Sequence, residues 1–147
     1  MKLNEDLKMN GELSIVVTGQ DGAIKQELVV PNLVVTVGKG YIASRMAGTA
    51  ATVMSHMAIG SGITAPVIGN TTMETSLARV ALTSFTATLA VVTAVASFGA
   101  GVGTGSITEA GIFNDATTGT MLCHTTFPLV TKEAGDSIAI TWAITVS

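Results

Sequence analysis

Apolar and polar positions alternate with a period of two along most of the chain, which predicts strands almost throughout. The clearest case is SIAITWAITVS, residues 137–147, where Ile138, Ile140, Trp142, Ile144 and Val146 share one face and Ala139, Thr141, Ala143 and Thr145 the other. A strand with one buried face has that pattern. Burying each of the five large side chains contributes roughly 1.5–3 kcal/mol before entropy is counted, which predicts a place at the centre of the core. ELSIVVT (12–18), the turn signal GQDG (19–22) and AIKQELVV (23–30) predict a hairpin. SITEAGIF (106–113), the polar connection NDATTG (114–119) and TMLCHTTF (120–127) predict a second. Pro31 and Pro128 have no N–H for a ladder, so each is expected to end its strand or sit at an edge.

Elsewhere the pattern is less regular. NLVVTVG (32–38) reads as a strand, and KGYIASRMAG (39–48) as the one helix, with Tyr41, Ile42, Arg45 and Met46 at helical spacing and Gly48 as its stop. VMSHMAIGSG (53–62) predicts a strand that ends in a glycine turn, ITAPVIGNTT (63–72) a loop, and METSLARVAL (73–82) a helical turn that runs into a strand. The stretch from Phe85 to Phe98 is apolar on both sides, as in a long strand buried inside a sandwich. GAGVGTGS (99–106) carries glycine at every second position and reads as a connection or a close approach of neighbouring backbone. The expected fold is all-β: a single-domain antiparallel β-sandwich or barrel of about seven to nine strands over residues 1–147. One short helix and an extended polar N-terminal arm, residues 1–11, complete it.

Composition narrows the function classes. Only 12% of residues are charged, against about 25% in an average domain, and 4% are aromatic. The surface must therefore be built mostly of Thr, Ser, Gly and Ala, which suits a subunit packed against others. A net charge of −3 with scattered Lys and Arg leaves no basic patch for a phosphate backbone, so no nucleic-acid partner is expected. The run LTSFTATLAVVTAVASF (82–98) is long enough to suggest a membrane span. Its six Thr and Ser residues, and the lack of flanking Lys/Arg clusters or an aromatic belt, favour a buried strand and no membrane partner. The N-terminus MKLNEDLKMNGEL has no apolar signal-peptide core.

Candidate chemistry is sparse. The run G-V-G-T-G-S (101–106) misses the dinucleotide fingerprint, and Gly38-Lys39 is followed by Gly40 where a P-loop needs Ser or Thr. His56 and His124 have no second ligand at metal spacing, and a Cys123/His56 nucleophile pair could arise only through the fold. No G-x-S-x-G elbow is present. Accordingly the chain is read as no enzyme, with no catalytic, cofactor-binding or metal-binding residue and no cofactor. Glu109 lies mid-strand among apolar neighbours, where an unpaired charge is prohibitively costly. Arg79 is the only Arg or Lys between Arg45 and Lys132, so a structural Arg79–Glu109 ion pair is expected.

MAIGSGITAPVIGNTTMETSLARVALTS (57–84), together with residues 107–147, resembles small virion structural proteins of tailed bacteriophages. The shared pattern is an (A/L)-I-G-x-G strand, a loop, an R-V strand, I-x-E-(A/I)-G-(I/L)-F-(N/D) and a threonine-rich final strand. Gly60, Arg79, Glu109, Gly111 and Phe113 carry it here. ITEAGIFN is also similar to the REIGLFD element of phage tail-collar fibre and baseplate-attachment domains. The resemblance covers roughly residues 30–147. It implies a β-sandwich building block of the virion, foremost a capsid decoration (cement) protein. Such a protein is made in the host cytoplasm, sits on the phage head surface and binds the major capsid protein and copies of itself, with a trimer favoured. Its arm would reach over a neighbouring subunit, with Leu3, Leu7 and Met9 as contact residues. A tail component, either a baseplate adaptor or a fibre-attachment protein, is the alternative. The chain has no repetitive or coiled-coil extension of the fibre kind, which favours decoration.

Overall fold

The computed structural model describes Leu3, residues 6–49 and residues 52–147. Its strands are β1 (Met9–Thr18), β2 (Ile24–Val34), β3 (His56–Gly60), β4 (Ser76–Ala81), β5 (Ser84–Thr88), β6 (Val91–Phe98), β7 (Gly105–Phe113), β8 (Met121–Lys132) and β9 (Ser137–Val146). One helix, α1 (Thr36–Met46), follows β2. The strands form a single antiparallel sheet in the order β4-β3-β7-β8-β2-β1-β9-β6-β5. It curls so that the two halves face each other across one core, giving the all-β, barrel-like sandwich that the alternation predicts.

Two crossings make the curl. β2 pairs with β1 as far as Asn32 and with β8 at Leu33 and Val34, so it passes from one half to the other near Pro31. Pro31 does not end the strand as expected: the Pro31 carbonyl accepts a hydrogen bond from Thr125 Oγ1 at the place where the partner changes. On the far side, β4 and β5 are the two ends of the sheet yet consecutive in the chain. Between them the Leu82 N–H donates to the Ser55 carbonyl and the Thr83 N–H to the Val95 carbonyl, which ties each half to the same dipeptide.

β9 lies between β1 and β6, and Ile138, Ile140, Trp142 and Ile144 are buried as its alternation requires. Other expectations shift. The helix begins three residues earlier than predicted, because Thr36 rather than Lys39 opens it. No helical turn precedes β4. The single long strand expected over 85–98 is the β5–β6 hairpin, turned at Leu89, a fully exposed residue in the left-handed region (φ 53°). β8 runs through Pro128, because two extra residues bulge out of it between the Ile107–Val130 and Glu109–Thr126 pairs. A missing N–H costs little in such a bulge. Of the arm expected over 1–11, residues 1, 2, 4 and 5 lie outside the described residues, and Met9–Gly11 belong to β1.

The charges at the opposite end of the core are organised around Lys132, which is only 1% exposed. Lys132 Nζ donates to the Gly99 and Asp136 carbonyls at 2.8 and 2.7 Å, and its burial pushes its pKa down. The Asp136 carboxylate accepts from Lys25 Nζ and the Glu133 N–H, both at 2.9 Å. Nothing in the alternation of β8 singles Lys132 out. Beside it the glycine run is the β6–β7 connection, with Gly101 and Gly103 at φ 77° and 66°, conformations that a side chain would strain.

Candidate functional site: a clamped loop on the outer face of the sheet

The fifteen residues from Ser61 to Thr75, between β3 and β4, lie over the outer face of β3, β7 and β8. Met73 of this segment packs with Val35, Ala58, Phe113 and Met121 into a second, smaller apolar core. A loop of this length with no secondary structure is uncommon in a small domain and is often functional. Its ordering comes from β7. The ladder is irregular between Ile107 and Glu109, so Ile107 faces the main core while Thr108 and Glu109 both reach the loop at Gly62. Thr108 Oγ1 donates to the Gly62 carbonyl at 2.7 Å, and the Gly62 N–H donates to Glu109 Oε1 at 3.0 Å.

Glu109, fully buried, is the clamp. Its Oε1 also accepts the Thr75 N–H at 2.7 Å, and its Oε2 accepts the Glu74 N–H at 3.1 Å and His124 Nε2 at 2.8 Å. Four donors fill the lone pairs of one carboxylate and hold both ends of the loop. The middle is held through His124. Asn70 Oδ1 accepts the Val67 N–H at 2.8 Å, which identifies that atom as the oxygen, and it lies 3.0 Å from His124 Nδ1. Both ring nitrogens of His124 therefore lie against oxygens, one of the loop and one of β7. Further out, Glu74 accepts from the Thr64 N–H and hydroxyl, and those bonds hold its carboxyl below the usual range. The Ile68 carbonyl accepts the Thr36 N–H at the start of α1.

The predicted Arg79–Glu109 ion pair does not form. Both side chains stand on the outer face, but Arg79 is in register with Ala58 and Gly111, one step along from Glu109, and turns the other way. Its guanidinium lies 3.7 Å from the centroid of the Phe113 ring and donates to the Asp115 and Thr118 carbonyls at 3.1 and 2.8 Å. Glu109 needs no cation from Arg79, because backbone N–H groups and His124 already surround it. Gly60 and Gly62 make the approach possible: a Cβ at either would sit 2.6 Å from Glu109 Oε1. His124, read from sequence as a strand histidine with no second ligand at metal spacing, is the residue that reasoning missed. No local signal marks it, since its partners are 15 and 54 residues away.

Other sequence candidates separate. Cys123 faces the main core, where burial pushes its thiol far up, while His56 stands on the outer face and contacts Ser55 Oγ. The Cys123/His56 pair is thus on opposite sides of the sheet. Among the described residues no three His, Cys, Asp or Glu side chains gather as metal ligands would, and no helix is long and apolar enough to cross a membrane. Of the three expected arm contacts, Leu3 and Leu7 are exposed, while Met9 is partly buried, pairs with Val146 and packs against the core. A cleft of about 390 Å³ opens between the loop and His124, and the polar groups at its floor are engaged with one another.

The β7–β8 turn that receives Arg79 has its own acid-sensitive anchor. Asp115 Oδ1 accepts the Thr117 and Thr118 N–H groups, both at 2.9 Å, and these bonds lower its pKa from 3.8 to about 2. A folded pKa below the unfolded one contributes stability above the unfolded value, and that contribution is lost as pH falls from near 4 towards 2. The stability difference between wild type and Asp115→Ala should accordingly be constant from pH 5 to 7 and shrink across that acid window, read by urea unfolding at each pH. A difference that stays level down to pH 2 would contradict the anchor.

Comparison with protein-family models, with curated proteins and with solved structures returned no match.

Proposed function

We propose that this protein is a structural component of a tailed-phage virion, a non-enzymatic decoration (cement) protein that binds the major capsid protein on the head surface and associates with copies of itself, as a trimer by preference. The observation that carries the proposal is the clamped loop. A buried carboxylate and a buried histidine are engaged in fixing a surface segment whose outward residues, Ile63 and Ile68, are 80% and 59% exposed. Fixed, partly apolar surface, here with Glu74 as its one charge, is what a contact between subunits uses, because little ordering entropy remains to be lost on binding. The residues of the phage-like pattern fall on this same apparatus: Gly60 and Glu109 in the clamp, Gly111 and Phe113 beneath the loop, and Arg79 on Phe113. The similarity of ITEAGIFN to fibre and baseplate-attachment domains supports a tail position as the second reading, since that stretch is β7 itself.

Added to undecorated capsids, the purified protein should bind saturably and raise their melting temperature, and Ile63→Asp with Ile68→Asp should abolish binding while the free protein melts as before. No binding by wild type at micromolar concentration would sink the head assignment. Immunogold labelling of virions separates shell from tail.

A further inference from the structure

We propose that the protein self-associates by arm exchange, the segment before Lys8 of one copy seating in a groove of a second copy between α1 and β2. The groove has a volume of about 540 Å³, and its apolar lining includes Leu33, Val34, Ile42, Ala43 and Met46. Lys8 and Lys39 stand on it as cations. The arm is its chemical complement. Leu3 and Leu7 lie on one side of the chain whether it is extended or helical, and they are 84% and 71% exposed in their own subunit. Asp6, also exposed, adds the opposite charge to Lys39. Seating in the groove would take the apolar surface of both leucines out of water.

The arm's own groove is a poor receptor for it. Lys8 is fixed to Ser147 by two backbone hydrogen bonds of 2.6 and 2.8 Å, which extend the β1–β9 pairing by one residue. Leu7, next to that fixed pair, already stands at the lip of the groove and is still 71% exposed there. A second copy meets neither obstacle. Six residues of extended chain reach roughly 20 Å, enough to cross to an adjacent groove. Because the arm leaves beside the groove that receives the other arm, the exchange can close into a ring of two or three copies.

This inference deepens the arm's part in the proposed assembly and stands apart from which surface of a virion the protein occupies. Leu3→Cys and Met46→Cys in the full chain, mildly oxidised, should give disulfide-linked dimers or trimers on a non-reducing gel; Cys123 is buried and stays silent. Light scattering should show the same mass for wild type, and Leu3→Asp with Leu7→Asp should weaken association about 100-fold with unchanged melting. Monomeric wild type at 100 µM (roughly the range of weak association), a cross-link confined to single chains, or association that survives the two Asp substitutions would each overturn the exchange. Capsid binding that fails while the arms still cross-link overturns the head assignment alone.

Discussion

Replacing Glu109 by alanine is expected to cost about 3–5 kcal/mol, because it strips a buried carboxylate from four donors at once and leaves His124 with only its Asn70 contact. Urea unfolding measures the loss. Hydrogen exchange locates it: the amides of Gly62, Glu74 and Thr75, which donate to the carboxylate, should lose protection while those of β9 keep theirs relative to global stability. Glu109→Gln should fall between, since its amide nitrogen opposes donors where an oxygen accepted them. A cost below about 1 kcal/mol for the alanine variant would mean that the clamp contributes nothing beyond an ordinary hydrogen bond. Arg79→Met makes the contrast, with an expected cost of about 1 kcal/mol from its carbonyl contacts and ring packing. In a double-mutant cycle the two positions should couple by less than about 0.5 kcal/mol, as sites without a shared partner do.

The second large effect is expected at Gly38, where α1 rests on β8. A Cβ there would stand 2.1 Å from the Leu122 carbonyl oxygen and 2.8 and 2.9 Å from the carbonyl carbon and Cα, all backbone atoms that cannot turn aside. Gly38→Ala should therefore push the helix off the strand and cost about 1–3 kcal/mol, as overpacking does. Gly40, two residues on in the same helix, faces open space. Gly40→Ala should stabilise by about 0.5–1 kcal/mol through helix propensity alone. Thermal or denaturant unfolding of the pair gives opposite signs if the close approach is real, and a stabilised Gly38→Ala would disprove it.

Much of the fold was legible because alternation reports directly on which face a strand buries. The β1–β2 and β7–β8 hairpins and the core face of β9 follow from it. What escaped depends on geometry that a linear pattern does not carry. The turn at Leu89 uses none of the usual turn residues, so the β5–β6 hairpin reads as one strand. Pro31 and Pro128 look like breaks, yet one sits where a strand changes partner and the other in a bulge, both places where a missing N–H is tolerated. At the site, a need for compensation was evident for Glu109 from the cost of burying its charge, but not the identity of the compensating groups. Scarcity of cations pointed to Arg79, whereas three of the four donors are backbone amides, which every residue but proline carries and no sequence pattern displays.

The placing of β9 bears on how the molecule is made. Residues 137–146 supply the strand between β1 and β6, so while the chain is being synthesised the half built from β2, β1, β6 and β5 has no continuous ladder. The local hairpins can form early, but the apolar faces of Leu13, Ile15 and Ala94 stay uncovered until Trp142 leaves the ribosome. Folding is thereby deferred to a late, largely concerted step of high contact order, with a correspondingly slow rate. The subunit matures all at once.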